Sequence, residues 1–254
     1  PQIPALLTVE HLRQTYGEIP GDTLWLGVDY DTVEPVAVDI TALSYLAMSG
    51  KNHAGRSNFV RYLLGCMQQN IFRQPVRAWV IDGYERKLAS ARSYGFVEDY
   101  SVDLADADRI LDFLEREYER RRDRLRGVGK AVLDKEPLLL LVINTPAVFE
   151  SEALSKIALE QIKRLMKNGR GMKILLLFSR TENLAVGYGS GELMKMVKEN
   201  GQLLFFDDLS NQKTMDISSA PLRQFKKPVS KGDCYFITPG GVQKMKTPYV
   251  KGVE

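Results

Sequence analysis

One stretch of the chain, LLLLVIN at residues 138–144, has no polar residue before its last position. A strand with one face in water alternates apolar and polar residues, whereas a strand covered by helices on both faces is apolar throughout. Shorter apolar runs with the character of strands lie at 23–28, 36–40, 44–48, 77–82, 173–178 and 202–206. We therefore predict an α/β fold with a mostly parallel sheet and helices on both faces.

Helical patterns separate these runs. Apolar residues recur at helical spacing from Val60 to Ile71, in 105–126 and in 152–168, so each segment carries one apolar stripe. The first 20 residues hold a short helical stretch that ends at Gly17 and Pro20. We predict that residues 1–20 are a linker or lead-in helix and that 21–254 form one domain.

The composition excludes little, but it weakens two classes of function. The 35 basic and 32 acidic residues give a net charge of +3, which is too balanced to indicate a nucleic acid or an anionic membrane as a partner. Two cysteines and two histidines in 254 residues argue against a His/Cys metal cluster.

Residues 50–57, GKNHAGRS, have the frame of a phosphate-binding loop, with four residues between two glycines and a closing serine. In such a loop, backbone N–H groups and a helix N-terminus hold phosphate oxygens, a lysine reaches the β- and γ-phosphates, and the hydroxyl ligates Mg²⁺. A predicted strand precedes the frame and a predicted helix follows it from Asn58, as this site requires. The candidate nucleotide-binding residues are Gly50, Lys51, Asn52, His53, Ala54, Gly55, Arg56 and Ser57.

Three positions depart from the chemistry of hydrolysis. Arg56 places a broad planar guanidinium where the loop normally has lysine. The strand at 138–144 ends in Asn144 and Thr145, where one carboxylate would hold Mg²⁺ and a second would polarise water. Asparagine has no charge to hold a divalent cation, and threonine cannot act as a general base. We expect little or no hydrolysis, with bound ATP and Mg²⁺ both in doubt, Ser57 as the candidate Mg²⁺ ligand and His53 as a polar loop residue.

The ordered set of motifs resembles the FtsK/SpoIIIE-type P-loop ATPases, which have a RecA-like fold of the additional-strand class. The glycine loop looks like their Walker A motif, VRAWVIDGYERKL resembles the next strand with its aspartate at Asp82, and LLLLVINTP looks like Walker B. NGRGMKILLLFSRTE is similar to the sensor strand, with Ser179 in place of a glutamine and Arg180 retained. SKGDCYFITPGG resembles the closing hairpin. The resemblance covers about residues 20–250.

Within this family, the altered loop and the missing Walker B acid most resemble the C-terminal ATPase domain of the membrane coupling proteins of type VIIb secretion. That resemblance implies a cytoplasmic domain of a bacterial cell-membrane protein that docks secreted WXG100-type helical substrates. It also implies packing on adjacent ATPase domains of the same chain, and assembly into homo-oligomers such as hexamers. Two alternatives stay open: an active or regulatory ATP-binding domain that powers secretion, and a DNA-translocating motor.

The run ERRRDRLRGVGK is the strongest feature in favour of DNA. Its helix, however, matches charges at spacings of three and four residues, which predicts a solvated helix face and makes nucleic acid an unlikely partner. The predicted pairs are Glu117–Arg121, Asp112–Arg116 and Glu119–Arg122.

Two arginines lie on either side of the predicted strand at 173–178. Arg170 and Arg180 are candidate phosphate contacts or trans-acting arginines in an oligomer, with a surface ion pair as an equal alternative. No catalytic residue is assigned; the positions where catalytic groups would stand are Asn144, Thr145, Ser179 and Arg180.

Overall fold

The computed structural model describes residues 2–150 and 153–252. Its strands are β1 (Leu24–Asp29), β2 (Pro35–Val38), β3 (Tyr45–Gly50), β4 (Val76–Asp82), β5 (Val97–Ser101), β6 (Leu138–Asn144), β7 (Ile174–Phe178), β8 (Leu203–Phe206), β9 (Asp233–Thr238) and β10 (Gly241–Lys246). Its α-helices are α1 (Val9–Tyr16), α2 (Arg56–Gln68), α3 (Ala107–Val128), α4 (Lys156–Asn168), α5 (Glu192–Asn200) and α6 (Ser219–Gln224).

The strands form one ten-stranded sheet in the order β2-β1-β10-β9-β8-β3-β7-β6-β4-β5. From β8 to β5 all neighbours are parallel, and from β2 to β8 all neighbours are antiparallel. The antiparallel part contains the predicted closing hairpin, β9–β10. The predicted fold is therefore confirmed, and the parallel half brings the carboxyl ends of β3, β7, β6 and β4 to one edge.

Strand β6 shows why the sheet must be covered on both faces. All seven of its residues are buried. Since successive side chains point to opposite faces, Leu140 and Val142 pack in the core beneath α2, whereas Leu141 and Ile143 pack in the core beneath α3 and α4. A polar residue on either face of this strand would have no water to contact.

The lead-in helix α1 packs against the sheet. The Thr8 hydroxyl caps it by accepting a hydrogen bond from the His11 backbone N–H at 3.1 Å. Leu12 is fully buried in a small cluster with Trp25 and Val28 of β1. The short N-terminal helix is as predicted, while the domain boundary at residue 20 stays a prediction.

Two other helices differ from the sequence prediction at their ends. Helix α2 begins at Arg56 rather than Asn58. The predicted start at 152 lies outside the described residues, and α4 begins at Lys156, where the Ser155 hydroxyl caps the Ala158 N–H at 3.0 Å. Across 2–150 and 153–252, none of the helices combines the length and apolar character needed to cross a bilayer.

The prediction of a solvated face on α3 is wrong at one position. Arg121 is fully buried, and its guanidinium donates to the carbonyls of Met172, Lys173 and Pro137 at 2.8–3.0 Å. Glu117 lies 3.6 Å from it, so the predicted pair exists but is not a surface pair. Arg116 instead contacts the Asp112 backbone carbonyl, and Arg122 pairs with Asp123 rather than Glu119.

Candidate functional site

The glycine loop joins β3 to α2 at the carboxyl edge of the sheet. Gly50 has φ +147°, and a Cβ there would lie 2.6 Å from the Phe206 carbonyl oxygen of β8. Gly55, the residue before α2, has φ +116°. Both positions favour glycine, one for close packing against β8 and both for backbone conformation, so the predicted strand, loop and helix are present.

A cavity of about 250 Å³ opens beside this loop. It is lined by His53, Ala54, Gly55, Arg56, Ser57, Asn58, Arg61, Lys87, Arg180 and Lys231. Five of these ten residues are lysine or arginine and none is acidic. The cavity therefore concentrates positive charge at a helix N-terminus, where the backbone itself favours an anion.

Arg56 and Arg180 both line this cavity. The Arg180 Nη2 lies 3.5 Å from the Ser57 hydroxyl, and the buried Arg180 Nε has no partner among the described residues. Burial, together with the nearby Arg180 charge, lowers the pKa of Arg56 to about 10. Glu85, an exposed acid, pairs with the cavity residue Lys87 at 3.1 Å. Its pKa is lowered by Lys87 first and by Arg180 only weakly.

The strand ends opposite the loop carry polar side chains that are hydrogen-bonded to one another. Asn144 is buried, and its Nδ2 donates to Asp82 Oδ1 at 2.9 Å. Its Oδ1 accepts a hydrogen bond from the Ser179 hydroxyl at 2.7 Å. The amide thus bridges the ends of β4 and β7 from its place on β6, and both of its polar atoms are engaged.

Asp82 is equally committed to the fold. Besides Asn144, its carboxylate accepts hydrogen bonds from the backbone N–H groups of Gly83 (2.9 Å) and Leu88 (2.8 Å) and from the Tyr100 hydroxyl (2.8 Å). These donors come from the loop after β4, from β5 and, for Asn144, from β6. A buried carboxylate with four donors needs no metal ion to compensate its burial.

Mg²⁺ does not fit this site. Among the described residues no group of three or more His, Cys, Asp or Glu side chains is placed to hold a metal. Asn144 is engaged on both polar atoms, and the Thr145 hydroxyl caps a short helical turn by accepting from the Ala147 N–H at 3.3 Å. The one remaining candidate ligand, Ser57, lies beside Arg180.

Of the remaining predicted site residues, one lines the cavity and the others lie outside its lining. Lys51 is half-exposed and lies 3.6 Å from Asp207, so its side chain, like that of exposed Asn52, is not part of the cavity lining. His53 is exposed, has φ +60° and lines the cavity. Arg170 precedes β7 and lies at the opposite edge of the sheet from Arg180, so it is not a phosphate contact for this loop.

Four lining residues were not predicted: Asn58, Arg61, Lys87 and Lys231. Arg61 lies one turn into α2, so the helical periodicity of the sequence could have placed it beside the loop. Lys87 and Lys231 come from loops far along the chain, and no motif marks them.

A larger groove of about 1050 Å³ adjoins the cavity and shares with it Gly55, Asn58, Arg61 and Lys231. Its other wall comes from the two ends of the described chain, residues 5–7 and 246–252. These ends meet through a bridge between Thr8 and Tyr249, and Asn58 holds the C-terminal segment by bonding the Pro248 carbonyl and the Val250 N–H.

No family model matches the chain. Among curated proteins, the ESX secretion system protein EccC of Geobacillus thermodenitrificans is 24% identical over 263 aligned residues, covering 99% of this chain and 17% of that protein. A histidine–tRNA ligase of Lactobacillus gasseri is 33% identical over 112 residues, 41% of this chain and 26% of the ligase. The chain thus spans about a sixth of the length of the first of these relatives.

Solved structures match almost the whole chain. ATPases 2 and 3 of EssC from Geobacillus thermodenitrificans superpose with a TM-score of 0.78 at 20% identity, covering 99% of this chain and 46% of that one. ATPases 2 and 3 of Thermomonospora curvata EccC, in complex with a signal sequence peptide, give 0.72 at 18% identity, with 98% and 44% covered. The pCW3 conjugation coupling protein TcpA with ATPγS gives 0.68 at 15% identity, with 98% and 71% covered.

The fold and the glycine loop together define the fold class: a mixed, mostly parallel sheet like that of the P-loop ATPases it superposes on. Within that class the chain is similar in fold to ATPases 2 and 3 of EssC and similar in sequence to EccC over 99% of its length. The resemblance predicted from the sequence is confirmed.

Proposed function

We propose that this chain is a nucleotide-binding ATPase domain of a type VII secretion coupling protein, with little or no ATP hydrolysis of its own. One contrast within the site carries this proposal. The loop side offers a basic, acid-free cavity, whereas the strand-end side has no polar group free for chemistry.

The cavity and the adjoining groove suit the two parts of a nucleotide. The triphosphate would lie in the cavity, against the N-terminus of α2 and the side chains of Arg56 and Arg180. The nucleoside would extend into the groove, past Gly55 and Asn58, which line both spaces. The similar fold of TcpA with ATPγS supports ATP as the ligand.

Hydrolysis lacks its usual groups in this site. Asn144 cannot hold a cation by charge, and its amide is held between Asp82 and Ser179. Thr145 stands where a general base would be needed, but a hydroxyl that caps a backbone turn is not a base near neutral pH. We expect bound ATP to persist rather than turn over.

The proposed partners follow from the secretion relatives. The EccC ATPases 2 and 3 were solved with a signal sequence peptide, which supports docking of secreted WXG100-type helical proteins on a domain of this kind. In the full protein this domain would follow a linker at residues 1–20 and pack on adjacent ATPase domains of the same chain. The full protein would be a membrane-anchored bacterial protein that assembles into hexamers, with this domain in the cytoplasm.

An active ATP-binding domain that powers secretion is the second candidate. The observation that favours it is the intact loop frame, since Gly50, Gly55 and Ser57 all keep their places. In that case turnover would need groups supplied by a neighbouring domain. A DNA motor has weaker support, because Arg121 is buried and Arg120, Arg122 and Arg124 of the basic run each pair with a carboxylate.

Calorimetric titration with ATP, paired with a phosphate-release assay, tests the proposal. We expect saturable ATP binding with phosphate release no faster than the buffer background. Release at the rate of an intact family member would support the active alternative, and absence of ATP binding would refute the proposal. Titration with a C-terminal helical peptide of a WXG100-type protein tests docking, with a scrambled peptide as control.

A further inference from the structure

The guanidinium of Arg180 lies where the cation of a P-loop site would be bound. In such loops the hydroxyl at the position of Ser57 is a ligand of Mg²⁺. Here a charged group lies beside that hydroxyl, since the Arg180 Nη2 is 3.5 Å from Ser57 Oγ. Since Arg180 carries a fixed positive charge, a divalent cation placed at Ser57 would be repelled.

Arg180 is also held in this place from both sides. Its neighbours Ser179 and Thr181 are buried. Ser179 bonds Asn144 on β6, and both the N–H and the hydroxyl of Thr181 donate to the Met48 carbonyl of β3, at 2.8 and 3.0 Å. The backbone that carries Arg180 is therefore fixed across β3, β7 and β6, and the guanidinium is presented to the loop as part of the fold.

The charges that line the cavity also argue against a bound divalent cation. A site for a magnesium–nucleotide complex has carboxylates to hold the metal. This cavity has five cationic side chains and no acidic lining residue, and the nearby carboxylate of Asp82 is already saturated by four donors. Such a charge distribution is complementary to a polyanion alone.

We propose that this site binds metal-free polyphosphate, as in ATP without Mg²⁺, and that Arg180 and Arg56 supply the positive charge that a cation supplies in other P-loop sites. The inference rests on the proposed nucleotide binding and specifies its ligand. Arg180 is a binding residue here and not a catalytic one, because Asn144 and Thr145 stand where carboxylates would support transfer. The same chemistry accommodates a nucleoside triphosphate or inorganic triphosphate.

The decisive measurement is the Kd of ATP with excess EDTA and with excess Mg²⁺, by calorimetry on the wild-type chain. Because free ATP carries two more negative charges than its magnesium complex, we expect binding in EDTA to be at least as tight as in Mg²⁺. Binding only in Mg²⁺ would overturn this inference while leaving the proposed function standing. No binding in either buffer would refute the proposed function itself.

Arg180→Gln tests the role assigned to the guanidinium. We expect ATP binding in EDTA to weaken about tenfold or more, since a charge-assisted contact is lost. Arg180→Lys keeps the charge but not the planar guanidinium. We expect its affinity for ATP in EDTA to lie between those of the wild type and Arg180→Gln. The matched control is Arg170→Gln, which neutralises the arginine before the same strand at the opposite edge and leaves binding unchanged. Equal affinity for wild type and Arg180→Gln would refute the role of Arg180.

Competition with inorganic triphosphate identifies which part of the ligand the site recognises. If the cavity recognises phosphate charge, triphosphate competes with ATP in EDTA and adenosine does not. Competition by adenosine alone would place recognition in the groove and overturn the proposal. If Arg180→Gln fails to fold, the comparison of EDTA with Mg²⁺ on the wild type still decides the question.

Discussion

The two sides of the same cleft have opposite electrostatic character. On the strand-end side, Asp82, Asn144 and Ser179 form a closed network in which each polar group finds a partner within the fold. On the loop side, Arg56 and Arg180 line one cavity whose lining includes no acidic residue. Polar groups that serve stability are satisfied internally, whereas unsatisfied charge of one sign indicates a place prepared for a ligand.

This difference also distinguishes the two positions at which the sequence departs from the chemistry of hydrolysis, Asn144 and Arg56. Asn144, where the resemblance expects an acid, makes a neutral bridge to Asp82 and is thereby built into the core. The change to Arg56 is not compensated by any side chain of the cavity lining. The polar atoms of Asn144 are thus satisfied within the fold, whereas the charge of Arg56 has no acidic partner in the cavity lining.

Asp82→Ala is expected to have the largest effect, because it breaks the closed side. The substitution leaves the Leu88 N–H and the Asn144 amide without an acceptor in a buried place. We expect a loss of about 3–5 kcal/mol in the free energy of unfolding, measured by urea denaturation. Asp99→Ala on β5 is the control, since its partner Arg109 is exposed and such a pair contributes about 1 kcal/mol or less. Similar losses for both variants would show that the network is not a stability element.

Asn144→Asp tests whether restoring the acid restores the chemistry. It would place a second carboxylate at the 2.9 Å contact that Asn144 makes with Asp82. We expect about 2 kcal/mol of destabilisation at pH 7.5 and no gain in phosphate release.

The pH dependence gives that prediction its sign. When two carboxylates share a site, one of them keeps its proton to a higher pH in the folded state than in the unfolded state. The stability of the variant is therefore closest to wild type at acid pH and falls as pH rises. Urea denaturation at pH 5 and pH 7.5 measures this difference. A deficit that is equal at both values, or a gain in hydrolysis, would contradict the closed network.

Arg56→Gln addresses the open side. We expect the affinity for ATP to fall roughly tenfold to a hundredfold, because a hydrogen bond to a charged group contributes about 1.5–3 kcal/mol. Lys51→Gln is the comparison within the same loop. Its ammonium lies outside the cavity lining, near Asp207, so we expect a change of about threefold or less. The reverse ranking in calorimetric titration would mean that Lys51 turns into the site when nucleotide binds.

The sequence predicted the parts of this site that depend on local pattern. The loop frame from Gly50 to Ser57 was accessible because its two glycines and closing serine are contiguous, and β6 because a strand covered on both faces is apolar throughout. The substitutions at Arg56 and Asn144 were also visible in the sequence.

What the sequence could not predict depends on which strands are neighbours. Asp82, Asn144 and Ser179 were each singled out, but their mutual bonds exist because β4, β6 and β7 are adjacent and in register. Lys231 reaches the cavity from the loop before β9 without any motif. Arg121 was expected on a wet surface, since charge spacing along a helix does not report the buried carbonyls beneath it.

Arg56→Met, measured without ligand, is expected to have the smallest effect and to sharpen the comparison most. Burial and Arg180 disfavour the charged form of Arg56, whose pKa is lowered to about 10. The charge thus costs stability below about pH 10, and this cost fades above it as the proton is lost. We expect the melting temperature at pH 7.5 to stay level or rise by about 1–3 °C.

The same melts with saturating ATP in EDTA complete that test. Wild type is expected to gain more from ATP than Arg56→Met, because a ligand that binds only the folded state stabilises it according to its affinity. Arg170→Met is the control and should change neither value. A variant that melts several degrees below wild type would show that Arg56 supports the fold, like Asp82 on the other side. A variant that is stable but unresponsive to ATP would show that the fold retains this arginine at a cost in order to bind an anion.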